Sequence, residues 1–164
     1  MKIEEKYDVI VVGGGHAGCE AALSAARMGS KVLMLNLYLD NTAMMPCNPS
    51  IGGPAKGHLV REIDALGGEM AKAADKATHH LRWLNTSKGP AVRTLRAQCD
   101  PVKYGNHYRT SILTCPSLEV HQAMVTDLLT EKGKIVGVKI RNGQTFLSKT
   151  VIIATGTYLA AKIH

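Results

Sequence analysis

The chain has 164 residues, of which 45% are hydrophobic and 20% are charged, and its formal net charge is +7. This size and apolar content suffice for one domain with a hydrophobic core. No apolar stretch is long enough to span a bilayer, which excludes a chain built on membrane-spanning helices. The excess of basic residues favours an anionic partner, either a cofactor phosphate or a nucleic acid.

The first elements in chain order are predicted to be a strand, a helix and a second strand over residues 7–36. Glycines in G-x-G-x-x-G spacing join the first strand to the helix. Gly13 permits a tight turn, Gly15 lets the backbone approach a phosphate, and Gly18 lets the helix pack closely on the strand. The helix N-terminus adds N–H groups and partial positive charge. This pattern favours a dinucleotide site over a glycine-rich surface loop, and it assigns the site to Gly13, Gly14, Gly15, His16, Ala17 and Gly18.

The residues that follow extend this motif. Small residues at helical spacing, Ala22, Ala26 and Gly29, are expected to face the sheet. The second strand ends at Asn36, where dinucleotide-binding domains usually carry an acid that binds a ribose hydroxyl. Because an amide can also hydrogen-bond a hydroxyl, Asn36 is the candidate ribose contact.

The middle of the chain carries weaker signals. Residues 41–58 are rich in Asn, Pro, Gly and Ser, which favours an ordered loop. Apolar residues at helical intervals predict one helix over 57–74. Residues 80–100 combine a short apolar stretch with a basic loop. A helix is expected over 101–114, because proline suits a first helical turn.

The last third predicts a β-meander. Segments 118–130, 134–141 and 144–149 read as strands, and Asn142-Gly143 is a strong hairpin signal. Residues 150–156 form a buried-looking strand that ends in Ala-Thr-Gly. Two glycine turns can converge on one cofactor, so Thr155 and Gly156 join the candidate site. The predicted fold is α/β: a Rossmann-like, FAD-binding domain with a parallel sheet, helices and an inserted meander.

The four cysteines, Cys19, Cys47, Cys99 and Cys115, lack C-x-x-C spacing, and no secretion signal precedes them. We therefore expect free thiols and a cytoplasmic protein. The histidines lack metal-ligand spacing, and no convincing Ser-His-Asp order is present. A metal site and hydrolase chemistry are not expected. A triphosphate loop is not expected either, because Gly57 is followed by histidine.

Five blocks of sequence carry a family resemblance. They are VGGGHAGCEAA (12–22), PCNPSIGG (46–53), KGHLVREIDALGG (56–68), LNTSKGPAVR (84–93) and GTYLAAKIH (156–164). Together they resemble the MnmG (GidA) family of tRNA wobble-uridine modification enzymes; the middle blocks are the specific ones. Family members are several times longer. We therefore expect residues 1–164 to be the FAD-binding, N-terminal part of a longer protein, with an inserted loop and helix region at about 41–116.

The resemblance implies a chemistry and a set of partners. Family members bind FAD and, with the GTPase MnmE, install an aminomethyl or carboxymethylaminomethyl group at C5 of the wobble uridine of tRNA. The one-carbon unit comes from methylenetetrahydrofolate and the reducing equivalents from NADH. The enzymes act as homodimers. The isolated segment is expected to be inactive.

The resemblance also implies roles for individual residues. Cys47 is implied to be a redox or nucleophilic cysteine and is the candidate catalytic thiol, attacking C6 of the uridine, with a structural cysteine as the alternative. Val125 is the candidate adenine contact through its backbone. The glycine-rich segment after Cys47 is expected near the isoalloxazine ring, with contacts from Asn48, Gly52 and Gly53. The basic loop supplies candidate tRNA contacts at Lys88, Arg93 and Arg96, a solvated basic face being the alternative.

One departure and two other functions stay open at this point. The family usually reads Leu-Asp-Gly before Lys-Ile-His, whereas this chain has Leu159-Ala160-Ala161. A small-molecule FAD oxidoreductase would share the first and last motifs only. A non-catalytic nucleotide-binding fragment is the third possibility.

Overall fold

The computed structural model describes residues 6–46 and 48–159, so Cys47 and the Ala160-Ala161 departure lie outside the described residues. In chain order the elements are β1 (Lys6–Val12), α1 (His16–Arg27), β2 (Val32–Asn36), β3 (Ser50–Gly52), α2 (Lys56–Ala65), α3 (Met70–Ala77), β4 (Thr78–Leu84), β5 (Thr94–Cys99), α4 (Pro101–Leu113), β6 (Leu118–Gln122), β7 (Val125–Glu131), β8 (Lys134–Ile140) and β9 (Thr145–Ile153). They form two compact units, residues 6–42 with 111–159 and residues 43–110.

The first unit is built on a six-stranded sheet with the order β6-β2-β1-β9-β8-β7. Strands β6, β2, β1 and β9 are parallel, and β9, β8 and β7 form the antiparallel meander. Every residue of β2 is buried, as expected for a parallel strand covered on both faces. The core cluster contains Tyr7, Ile10, Leu33, Leu35, Val138, Ile140 and Phe146. This architecture confirms the predicted Rossmann-like α/β fold.

The strand boundaries in the last third differ from the prediction. The expected strand 118–130 is two strands, because β6 pairs with β2 while β7 pairs with β8. The expected strands 144–149 and 150–156 are instead one nine-residue strand, β9, in which residues 145–147 pair with β8 and residues 147–153 pair with β1. The predicted hairpin turn is present: the N–H of Gly143 donates to the carbonyl of Ile140 at 2.8 Å, and Gly143 has φ +89°.

Helix α1 buries a stripe of small and apolar residues that includes Cys19, Ala22 and Ala26. The prediction that Gly29 belongs to this stripe is wrong. Gly29 is exposed, follows the end of the helix with φ +91°, and donates its N–H to the carbonyl of Ala26 at 3.0 Å. It is the left-handed residue that ends the helix.

The second unit holds a three-stranded antiparallel sheet with the order β3-β5-β4. The expected loop 41–58 therefore contains a short strand, and the predicted helix 57–74 is two helices. The break falls where Gly67 adopts φ +87° and the N–H groups of Gly67 and Gly68 bond back to Asp64 and Ile63. These two hydrogen bonds end α2, although apolar residues continue at helical spacing on both sides of the break.

Two polar contacts fix the ends of helices in the second unit. Asp100 caps α4, since its Oδ1 accepts from the N–H groups of Val102 at 2.9 Å and Lys103 at 3.0 Å. These bonds, that of Lys103 first, hold the pKa of Asp100 below its ordinary value. His107 of α4 hydrogen-bonds through Nε2 to the buried Glu69 at 2.6 Å, next to the start of α3. The predicted helix over 101–114 is confirmed as α4.

Candidate dinucleotide site and cation-lined cleft

Of the three glycines that define the G-x-G-x-x-G motif after β1, two are crowded and one is open. Gly13 has φ +110°, and a Cβ there would collide with the carbonyl of Ala154. A Cβ on Gly18 would collide with the carbonyl oxygen of Gly13. At Gly15 a Cβ would meet no atom of the described residues within 4 Å. The crowded glycines hold the strand, turn and helix together, and the open one faces space.

That open space lies at the N-terminus of α1. Gly15 occupies the N-cap position with extended backbone (φ −72°, ψ −177°), and no side chain of the described part of the chain caps the helix. The first turn holds no acidic residue. A helix N-terminus that carries partial positive charge next to open space is suited to an anion such as a pyrophosphate.

Asn36 lies beside the turn and is 9% exposed. Its Nδ2 donates to the carbonyl of Tyr38 at 2.9 Å and to Oγ1 of Thr42 at 3.2 Å. A Cβ on Gly14 would collide with this amide, so the side chain packs directly on the turn backbone. Nothing in the sequence pattern singled out Thr42, whose hydroxyl accepts a hydrogen bond from the amide that packs on the turn.

The remaining candidates of the first unit gather at one edge of its sheet. Asn36 ends β2, Val125 follows β6 by a short connection, and Thr155-Gly156 follow β9. Carboxyl ends of parallel strands lie at the same edge, and ligands of open α/β sheets bind there. Gly156 has φ +58°, which the small-residue turn requires. The glycine turn after β1 shares this edge.

In the second unit, the predicted flavin contacts Asn48, Gly52 and Gly53 line a cleft of about 460 Å³. The other lining residues are Ser50, Pro54, Lys56, Leu84 and Arg96. Lys56 Nζ donates to the carbonyl of Ser50 at 3.0 Å, and Arg96 Nε donates to Oγ of Ser50 at 3.1 Å. Two cations therefore converge on one residue. Sequence reasoning did not assign a role to Lys56, although its block was part of the family resemblance.

The structure separates the three basic residues that the sequence grouped in one loop. Arg96 lies on β5, opposite Gly52 of β3. Lys88 and Arg93 lie in the exposed connection between β4 and β5, where Arg93 Nε donates to the carbonyl of Lys88 at 3.3 Å. Grouping Arg96 with that loop was wrong, because strand pairing carries it into the cleft.

The described residues contain neither a metal-binding cluster nor a helix that could cross a membrane. Residues 6–46 and 48–159 contain no group of three or more His, Cys, Asp or Glu side chains placed to hold a metal ion. Within the same residues, no helix has the length and apolar character needed to cross a membrane.

Comparison with known proteins identifies close relatives. A family model described as glucose inhibited division protein A matches residues 8–164. The MnmG protein of Alkaliphilus metalliredigens, named a tRNA uridine 5-carboxymethylaminomethyl modification enzyme, is 59% identical over 158 residues, covering 96% of this chain and 25% of that protein. The protein of the same name from Caldicellulosiruptor saccharolyticus is 54% identical with the same coverage. The chain spans about a quarter of the length of these curated relatives.

Solved structures agree with this relationship. GidA from Aquifex aeolicus superposes with a TM-score of 0.91 at 46% identity, covering 94% of this chain and 26% of that chain. PqsL, a probable FAD-dependent monooxygenase from Pseudomonas aeruginosa, superposes with a TM-score of 0.64 at 15% identity, covering 98% of this chain and 47% of that one; this is a likeness of fold alone. From the match over residues 8–164, the chain belongs to the glucose inhibited division protein A (GidA) family.

Proposed function

We propose that residues 1–164 are the FAD-binding, N-terminal part of a longer enzyme that adds an aminomethyl or carboxymethylaminomethyl group to C5 of the wobble uridine of tRNA. The observation that carries the proposal is the open space at Gly15, at an uncapped helix N-terminus, in a chain 59% identical to a relative named for this modification. The inserted region at about 41–116 belongs to the same part of the enzyme.

The residues present fit FAD in the first unit. Backbone groups of Gly13, Gly14, Gly15, His16, Ala17 and Gly18 would hold the pyrophosphate. Asn36 Oδ1 would accept from a ribose hydroxyl, because only Nδ2 of that amide is bonded to protein among the described residues. The backbone of Val125 would hold the adenine, and Thr155 and Gly156 would close the same edge. When bound, FAD supplies electron-pair transfer through its isoalloxazine ring.

The second unit would hold the reacting groups. We assign Asn48, Gly52 and Gly53 to the flavin ring and Cys47 to the uridine. Addition of the Cys47 thiolate to C6 moves the C5=C6 electron pair toward C5, which makes that carbon nucleophilic. Lys88 and Arg93 would contact tRNA phosphates, whereas Arg96 lies on β5 in the lining of the cleft. The net charge of +7 supports a polyanionic substrate.

The proposal includes reactants and partners for which no residues are assigned. Methylenetetrahydrofolate would supply the one-carbon unit and NADH the reducing equivalents. A GTPase of the MnmE type would act with the enzyme, which would be a cytoplasmic homodimer. These components come from the family resemblance.

Wobble-uridine analysis of tRNA tests the proposal. Cells whose only full-length copy carries Cys47→Ser should accumulate unmodified wobble uridine, as measured by nucleoside mass spectrometry. The purified variant should keep its flavin absorption, because the pyrophosphate turn is unchanged. Cys115→Ser is the matched control, since Cys115 belongs to neither candidate site and is only partly buried. Normal modification with Cys47→Ser would remove this thiol from the mechanism.

The tRNA contacts have a separate test. Changing Lys88 and Arg93 to Gln should weaken tRNA binding across all tRNA sequences and lower the salt dependence of binding by about one unit per residue. Lys76→Gln, an exposed change on α3, is the control and should leave the slope unchanged. An unchanged slope for both double and control variants would place the tRNA elsewhere.

A further inference from the structure

The cleft of the second unit concentrates positive charge that the described protein does not neutralise. Lys56 and Arg96 both line it and both bond to Ser50. Ion pairs of the described residues involve other cations, namely Lys31, Lys72, His107 and Lys149. No acidic residue is among the described residues that line the cleft.

Strand pairing places a third cation beside Arg96, outside the lining of the cleft. Arg82 of β4 lies directly opposite Arg96 of β5 in the antiparallel register. Like charges in that position destabilise a sheet unless something compensates them. Arg96 uses Nε on Ser50, and its terminal amino groups have no hydrogen-bond acceptor among the described residues. A guanidinium held in this way presents a fork suited to an oxyanion.

The size and walls of the cleft favour a small anion over a long backbone. Its volume of about 460 Å³ falls within the usual range for small-molecule sites. Gly53 leaves open space where a Cβ would stand, while Pro54 and Leu84 give apolar walls. Lys88 and Arg93, which a polyanion could reach more easily, lie outside the cleft lining.

We propose that Lys56 and Arg96 form an oxyanion subsite for the carboxylate of the amine that becomes the carboxymethylamino group. This inference rests on the proposed function. An aminomethyl group differs from a carboxymethylaminomethyl group by the carboxymethyl arm alone, so the two amines are ammonium and glycine. Cys47, the proposed nucleophile toward C6, precedes Asn48 in the chain, and Asn48 lines the cleft. The new group grows on C5, the atom bonded to C6, so the proposal requires its carboxylate to reach the cleft. The assignment moves Arg96 from the tRNA contacts to the amine site.

The test is competition between glycine and ammonium in the full-length enzyme with its GTPase partner. Both amines are supplied together, and the ratio of carboxymethylaminomethyl to aminomethyl uridine is measured by nucleoside mass spectrometry. Lys56→Gln and Arg96→Gln should each lower this ratio about tenfold, the usual effect of losing one charge-assisted hydrogen bond. Lys56→Arg keeps the charge and should retain most of the ratio. Lys76→Gln, on the exposed side of α3, should leave it unchanged.

Flavin content and tRNA affinity of each variant separate the outcomes. A proportional fall of both products together with weaker tRNA binding would overturn the carboxylate assignment and give the subsite to a tRNA phosphate. An unchanged ratio in folded, flavin-loaded variants would overturn the subsite altogether. If the unsubstituted enzyme forms neither product, the proposed function fails, and the carboxylate assignment fails with it.

Discussion

Gly18→Ala should destabilise the fold, whereas Gly15→Ala should weaken FAD binding, although the two residues are only three positions apart. At Gly18 a Cβ would lie closer than 3.0 Å to the carbonyl oxygen of Gly13 and 3.5 Å from the Cβ of Ala154. The oxygen belongs to the backbone of the turn, so it cannot rotate away. At Gly15 the described residues leave open space within 4 Å.

The magnitudes follow from these surroundings. Gly18→Ala gains about 1 kcal/mol of helix propensity but forces a backbone shift at the upper end of the overpacking range, about 3 kcal/mol. The net loss of about 2 kcal/mol should lower the Tm of the full-length protein by less than the roughly 4–8 °C that a 164-residue chain would show, because a longer chain has a larger unfolding entropy. At Gly15, alanine loses N-cap preference and reduces the entropy of the unfolded chain, two effects of about 0.5–1 kcal/mol and opposite sign. The stability of the FAD-free protein should therefore hardly change.

Gly15→Ala, which hardly changes stability, should have the larger effect on FAD affinity. The methyl group of Gly15→Ala would occupy the space that the pyrophosphate needs, and losing one charge-assisted hydrogen bond there would weaken FAD binding about tenfold or more. Thermal unfolding of the FAD-free full-length protein and titration with FAD by fluorescence measure both quantities. The reasoning is refuted if Gly15→Ala destabilises the FAD-free protein as much as Gly18→Ala, or if it binds FAD with unchanged affinity.

Three further predictions concern the groups around these sites. Asn36→Asp should lower the free energy of unfolding by about 1–3 kcal/mol in urea titrations, because the new carboxylate would face the carbonyl of Tyr38 that now receives a hydrogen bond; equal stability would contradict this. Glu69→Ala should cost about 1–3 kcal/mol in the same assay by leaving the largely buried His107 without its 2.6 Å partner, and the change should be largely non-additive with His107→Ala. Asp100→Asn tests a pH effect: the lowered folded pKa of Asp100 means that its stabilisation is present above the unfolded pKa and is lost as pH falls through the folded pKa. The Tm difference from the unsubstituted protein should therefore be largest near neutral pH and vanish well below about pH 4.

The glycine turn was predictable because its requirements are local. Gly13 and Gly18 must lack a side chain for reasons that lie within the strand-turn-helix segment and the strand beside it, and their spacing records those reasons. The hairpin turn at Gly143 is predictable in the same way, from a left-handed backbone that glycine favours.

Boundaries that depend on a partner strand were not predictable. No glycine or proline separates β6 from β7, so the apolar pattern continues across the point where the chain leaves β2 for β8. The cation-lined cleft was even less predictable from the sequence. Lys56 and Arg96 meet only because β3 pairs with β5, and a pairing over that distance leaves no periodic trace near either residue. The sequence therefore located the backbone cradle and missed the side-chain cluster.

At Asn36 the structure explains a departure that the sequence motif alone leaves unexplained. By the usual fingerprint its position calls for an acid, so the sequence alone presents the amide as a departure. In the structure the amide donates to the carbonyl of Tyr38 and to Thr42, and it packs against Gly14. A carboxylate could not donate either bond. The amide therefore supports the turn with its Nδ2 and keeps Oδ1 for an acceptor role, which is the role an acid would have toward a ribose hydroxyl. The substitution of Asn for an acid changes the charge at this position and preserves the acceptor that the dinucleotide needs.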